Sequence, residues 1–203
     1  MRDEGLDKNR RRLLTTGLPL ATIACLGCRG LAAQTLGPGG RSRFLEQTGM
    51  TVEETYTFFY GTFVPVLQSL AKEMGPERFL AALTKAASDN TAQMIAAMAK
   101  DMPARDIKAL SALLRSMLGM PPLDKAVSYE IVEQSEKVLE LKFTECLPAK
   151  LLRAMNAADI GYALECSGSP ALARAFNPRM TTSNPWNMMK GDSYCIERFV
   201  LEG

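Results

Sequence analysis

The hydrophobic pattern changes its period across Pro121-Pro122, and that change limits what the chain can build. Before it, Thr51 and Glu54 form a capping box, and Val52, Tyr56, Phe59, Phe63, Leu67 and Leu70 recur every three or four residues up to Gly75-Pro76. This predicts a helix that Pro65 bends. A second helix from Pro76 carries Phe79, Leu83, Met94, Met98 and Met102, the methionines forming a core stripe, with a ligand-facing stripe as the alternative. A third from Ala104 carries Ile107, Leu110, Leu114 and Met117. After the prolines the period is two. Val127, Tyr129 and Ile131, then Leu139, Leu141 and Phe143, alternate with polar residues around a polar turn at residues 133–137, a hairpin pattern. Alanine-rich helix follows over 148–156 and 157–176, broken near Ser167-Gly168 and Pro170. A second hairpin is predicted from residues 179–189 and 193–201 around Lys190-Gly191-Asp192. Helices followed by hairpins predict an α+β fold, with N-terminal helices packed on an antiparallel sheet made of two hairpins with intervening helices.

Composition narrows the chemistry. The 203 residues contain five Cys and no His, so Ser-His and Cys-His dyads, His-ligated metals and imidazole proton transfer are excluded. Any acid or base must be a carboxylate, Tyr, Lys or Cys. Residues 9–15 read Asn-Arg-Arg-Arg-Leu-Leu-Thr and precede a weakly apolar run to Cys28 and then Leu31-Ala32-Ala33. This resembles a twin-arginine export signal, which implies the export machinery for folded proteins as a partner and a periplasmic or otherwise extracytoplasmic destination. The run is shorter than the roughly 20 apolar residues of a membrane span. Gly27-Cys28 leaves lipid anchoring at Cys28 as an alternative, and an uncleaved cytosolic N-terminus as another. Residues 34–43, rich in Gly around Pro38, read as a linker, and 44–203 as a single domain. Setting residues 1–33 aside removes six basic and three acidic residues from totals of 24 and 22, leaving 18 against 19. A near-neutral surface gives no field for nucleic acid.

The most informative stretch comes last: Cys146-Leu147-Pro148-Ala149-Lys150, Asn156-Ala157-Ala158-Asp159-Ile160-Gly161-Tyr162, Cys166, Phe176-Asn177-Pro178, and Gly191-Asp192-Ser193-Tyr194-Cys195 with Arg198-Phe199. It resembles the L-2-amino-thiazoline-4-carboxylic acid hydrolase family. The resemblance implies hydrolysis of a C–N bond in a small cyclic amidine-like compound, whose isothiourea carbon is open to a thiolate while a carboxylate binds the amidinium and later activates water. Cys146, Cys166 and Cys195 are then the candidate nucleophiles, and Asp159 and Asp192 the candidate carboxylates. Cys146 ranks first because it precedes the Pro148 helix, whose N-terminus would favour a thiolate. Arg198 is the candidate anchor for a substrate carboxylate, and Tyr162, Asn177 and Trp186 are the candidate substrate contacts.

Plainer roles stand beside these. Cys166 fits a small core residue, and two of the three Cys would fit a disulfide. Asp192 fits a turn, Asp159 a helix start, and Arg198 a solvent-facing strand position. Three thiolates would also hold zinc, but gaps of twenty and twenty-nine residues lack ligand spacing, so no cofactor is expected. The Gly-Asp-x-x-Cys ending is also similar to four-vinyl-reductase-type domains. That similarity, with Asn184-Pro185-Trp186-Asn187 and Ile196 replacing the expected residues, implies the alternative of a non-catalytic extracytoplasmic small-molecule-binding or accessory module, which leaves room for a protein partner.

Overall fold

The structure, a computed structural model, describes residues 49–202. The export-type segment, Cys25, Cys28 and the linker lie outside the described residues, and the compact unit that contains the site begins at Thr51. Helix α1 (Val52–Met74) starts at the predicted capping box, with Thr51 Oγ accepting from the Glu54 amide and Glu54 accepting from the Thr51 amide. It runs through Pro65 and ends at Gly75, whose φ of 84° suits a residue without a Cβ. Helix α2 (Pro76–Met98) follows at once, with Pro at its first position. Helix α3 (Ile107–Leu118) begins later than the pattern suggested because Asp106 caps it, accepting from the Ala109 amide at 2.8 Å.

The sheet has four antiparallel strands in the order β1 (Val127–Gln134), β2 (Val138–Cys146), β4 (Cys195–Leu201), β3 (Met180–Ser183). Strands β1 (Val127–Gln134) and β2 (Val138–Cys146) form the first hairpin, closed by Ser135, whose hydroxyl accepts from the Val138 amide. Helix α4 (Leu147–Ala154) leaves directly from the end of β2. A short α5 (Ala158–Gly161) passes into a π-helical turn, Tyr162–Cys166, and α6 (Ser169–Phe176) precedes β3 (Met180–Ser183) and β4 (Cys195–Leu201). The chain is therefore α+β, with helices and an antiparallel sheet of two hairpins.

Two cores share the work of packing. One lies between the sheet and α2, α3 and α6, around Ile95, Leu110, Leu139, Leu141, Phe176 and Phe199. The other lies among α1, α2, α4 and α5, around Tyr60, Val64, Phe79, Leu152, Ile160 and Met189. All three described cysteines pack against this second core.

Three expectations are corrected. The buried face of α1 is Tyr60 and Val64, flanked by Tyr56 and Leu67, while Phe59, Phe63 and Leu70 of the predicted stripe are exposed. The period was right and the face was rotated. On α2 the core position is Ile95, next to Met94, so Met94 and Met98 are exposed. Met102 lies beyond the helix end, where Arg105 donates to the Ala99 carbonyl at 3.0 Å, and packs against the first core as expected. The second hairpin is shorter than predicted. Its first strand stops at Ser183 because Pro185 has no amide to donate and Asn184 and Asn187 bond to one another, drawing residues 184–194 out of the sheet.

Candidate active site

Cys146 is the last residue of β2 and the residue before α4, so the junction itself fixes its position. It lines a cavity of about 760 Å³ together with Lys125, Glu145, Lys150, Arg153, Asp192 and Glu53. Cations and carboxylates thus face one thiol across one open cavity, a lining suited to a small zwitterionic molecule. Lys150 pairs with Glu53 at 2.8 Å, and Arg153 donates to the Met188 carbonyl at 3.2 Å, which ties α4 to the loop between β3 and β4.

That loop is built by side-chain hydrogen bonds. Asn187, buried at 2% exposure, accepts at Oδ1 from the Met189 amide (2.9 Å) and donates from Nδ2 to Asn184 Oδ1 (2.8 Å). Its own amide donates to Asp192 Oδ2 at 2.7 Å. Gly191, at φ 109°, provides the left-handed turn that returns the carboxylate to it. The Met188 amide donates to Cys195 Sγ at 3.2 Å, and Cys166 Sγ lies 3.9 Å from Asn187 Oδ1.

Cys166 arrives by a different route. The π turn, closed by the Ser167 amide on the Tyr162 carbonyl at 2.9 Å, adds a residue to the helix and brings Glu165 and Cys166 toward α1. There Tyr60 donates to Glu165 Oε1 at 2.8 Å. Burial pushes the Tyr60 hydroxyl up, and the neighbouring Glu165 carboxylate adds to it. Cys195 and Glu165 lie close enough to Cys146 and Cys166 to raise the proton affinity of those two thiols, and Cys146 adds to the effect on Cys166.

Each of the three thiols is free and holds its proton tightly. Burial pushes Cys146 up to about 11, although the Ala149 amide at the start of α4 pulls the other way. The helix N-terminus acts as expected and is outweighed by desolvation. Burial likewise pushes Cys166 up to about 12 and raises Cys195, against the Asn187 and Met188 contacts respectively. Among the described residues no group of three or more His, Cys, Asp or Glu side chains is arranged to hold a metal ion.

The remaining candidates separate. Asp192 shares the cavity with Cys146 and also closes the turn. Asp159 is exposed and lines two other grooves, one with Gln68 and Pro76 and one with Thr84 and Lys190. Tyr162 lies in the second of these, with Lys190 Nζ 4.2 Å from its ring centroid. Trp186 is 48% exposed and packs on Tyr194 at 5.6 Å. Two of the candidate substrate contacts have hydrogen-bond partners away from this cavity. Asn177 ends α6, its Nδ2 donating to the Arg105 carbonyl at 2.7 Å and its Oδ1 accepting from the Arg179 amide at 2.9 Å. Arg198 lies on the outer face of the sheet, held between Glu140 at 2.6 Å and Glu133 at 2.7 Å. Strand alternation places it opposite the core, and Lys125, Lys150 and Arg153 are the cations at the cavity instead.

Glu165 and Glu197 were missed. Glu197 alternates with Arg198 and so faces inward between Cys195 and Phe199, where Thr182 Oγ1 and Asn184 Nδ2 each donate to it at 2.9 Å. Burial raises its carboxyl above the ordinary range, against hydrogen bonds from Asn184, Ser169 and Thr182. The alternation of β4 alone could have revealed it. Nothing in the sequence marks the π turn that places Glu165.

No curated protein matches the chain. Among solved structures it pairs with the crystal structure of the phenol-responsive sensory domain of the transcription activator PoxR with phenol, at 13% identity, 75% coverage of each chain and a TM-score of 0.44, too loose a likeness to carry an argument. The family model for L-2-amino-thiazoline-4-carboxylic acid hydrolase spans residues 55–199, from the helix that supplies Tyr60 to the strand that supplies Glu197. With the match running through every element that frames the cysteine cluster, the chain belongs to the L-2-amino-thiazoline-4-carboxylic acid hydrolase family.

Proposed function

We propose that the protein hydrolyses the endocyclic C–N bond of a small cyclic amidine carrying a carboxylate, using Cys146 as nucleophile. The observation that carries this reading is the position of Cys146 on the wall of a cavity that also presents Lys125, Lys150 and Arg153 for a carboxylate and Asp192 and Glu145 for an amidinium. The thiol adds to the amidine carbon, its proton passing by way of a neighbouring carboxylate to the ring nitrogen, and the C–N bond breaks as that nitrogen leaves as an amine. Water then adds to the same carbon and the thiol departs with a proton, releasing the carbamoylated open-chain product. Since Cys146 is protonated at neutral pH, the carboxylate is needed in the first step; Asp192 and Glu165 are the groups we assign to it. The Arg-Arg-Arg-Leu-Leu segment at residues 10–14 leads us to place this chemistry outside the cytoplasm.

A second reading, a ligand-binding module without turnover, is favoured by the same thiols, all uncharged at neutral pH. The two separate in one assay. Ring opening of 2-amino-thiazoline-4-carboxylate is followed by mass for the wild type, Cys146→Ser, and Arg198→Ala as the control away from the cavity. Loss of turnover in Cys146→Ser alone, with unchanged circular dichroism, is the expected result. Wild-type turnover in Cys146→Ser would remove the nucleophile assignment, and saturable binding with no product in the wild type would establish the second reading.

A further inference from the structure

Helix α1 is apolar on both sides, but among the described residues it is packed on only one. Tyr56, Tyr60, Val64 and Leu67 face the second core. On the other side Phe58, Phe59, Phe63, Val66, Leu70 and Met74 are 65%, 48%, 55%, 57%, 41% and 42% exposed. Phe59, Phe63, Val66, Leu70 and Met74 follow one another at spacings of four, three, four and four, a single seam along the helix. No charged residue occurs from residue 55 to residue 71. A solvated helix face ordinarily carries charge, and an apolar patch of this extent marks an interaction surface. The Phe59 and Phe63 rings lie parallel, 6.2 Å apart with 6° between their planes, and give the seam a flat N-terminal end.

We propose that this seam is the interface of a homodimer, α1 of one copy lying along α1 of a second. The area supports that occupant. Taking about 150–200 Å² for a whole large side chain, the exposed fractions of the five seam residues leave roughly 350–500 Å² open per chain. Two copies facing each other bury roughly 700–1,000 Å², at the low end for a specific interface and the size of a reversible dimer. The spacing supports it too: alternation of three and four is what two helices need to interdigitate, and a two-fold axis sets the same seam against itself. The flanking charges disfavour an anionic membrane surface, since Glu53, Glu54 and Glu73 outnumber Lys72.

The test is sedimentation velocity of the purified full-length chain across about 1–100 µM, where a specific interface of this size associates. The expected result is a concentration-dependent dimer. Phe63→Glu should weaken it by about 30-fold or more, the loss expected at a central apolar anchor, with unchanged circular dichroism, while Phe63→Leu retains it. Should Phe63→Glu fail to fold, Leu70→Lys asks the same question at the other end of the seam. A wild type that stays monomeric throughout the range overturns the proposal. So does a dimer that persists in the charged variants, which would place association elsewhere, including residues 1–48. A monomer that floats with phosphatidylcholine vesicles and loses flotation in Phe63→Glu would make the seam a membrane contact instead.

Discussion

If burial controls Cys146, its reactivity toward a small alkylating reagent must follow a steep pH profile. With the thiol pushed up to about 11, thiolate at pH 8 is about one part in a thousand, whereas an ordinary cysteine titrating near 9 has about one part in ten. Iodoacetamide should therefore label Cys146 about 100-fold more slowly in the native protein than in the denatured chain at pH 8, and about tenfold more slowly at pH 10. Steric shielding slows the native reaction by one factor at every pH, so the narrowing of the ratio, rather than its size, reports the proton. The assay is peptide mass spectrometry of labelling time courses at several pH values. A native rate that has already levelled off by pH 8 would refute the reasoning, because it would mean that the α4 N-terminus or a cavity cation outweighs desolvation. Turnover should lack this slope if a carboxylate accepts the thiol proton in the complex. Activity rising tenfold per pH unit would show instead that free thiolate must form first.

Two further outcomes follow from the packing. In Gly161→Ala the new Cβ would lie 2.7 and 2.8 Å from Met189 Sδ and Cε and 2.9 Å from Leu152 Cδ1; overpacking of about 1–3 kcal/mol offset by about 1 kcal/mol of helix propensity predicts a net loss of roughly 0–2 kcal/mol by denaturant unfolding. Displacing Met189 should also loosen the Met188 amide from Cys195 and speed labelling of that thiol, and a stabilised variant with unchanged labelling would contradict the packing argument. Glu197→Gln tests the enclosed carboxylate. Because its folded pKa is raised above the ordinary 4.5, the wild type binds its proton more tightly when folded, so stability relative to Glu197→Gln is greatest below pH 4.5 and is lost as pH rises through the folded value. Unfolding free energies of both proteins at pH 5 and pH 8 measure this, and a difference that does not change with pH would show that burial leaves the group's titration unaltered.

The periodicity of the sequence by itself determined the fold class, because a pattern of three and four can bury one face only as a helix and a pattern of two only as a strand. It also located the ends of elements wherever a cap or proline acts through neighbours in the chain, as at Thr51-Glu54 and Gly75-Pro76. Family motifs singled out Cys146, Cys166 and Cys195, but not their proximity. Only the tertiary structure decided which face of α1 is buried, since both of its faces are apolar and the choice rests on what α2 and α4 present to it. Likewise it assigned Arg198 to Glu133 and Glu140, residues 65 and 58 positions away, and brought Lys125, Lys150 and Arg153 to the cavity with Cys146. The state of the cysteines was beyond sequence for the same reason: a helix N-terminus is a local feature, whereas desolvation comes from every element packed around the sulfur, and here it is the larger effect.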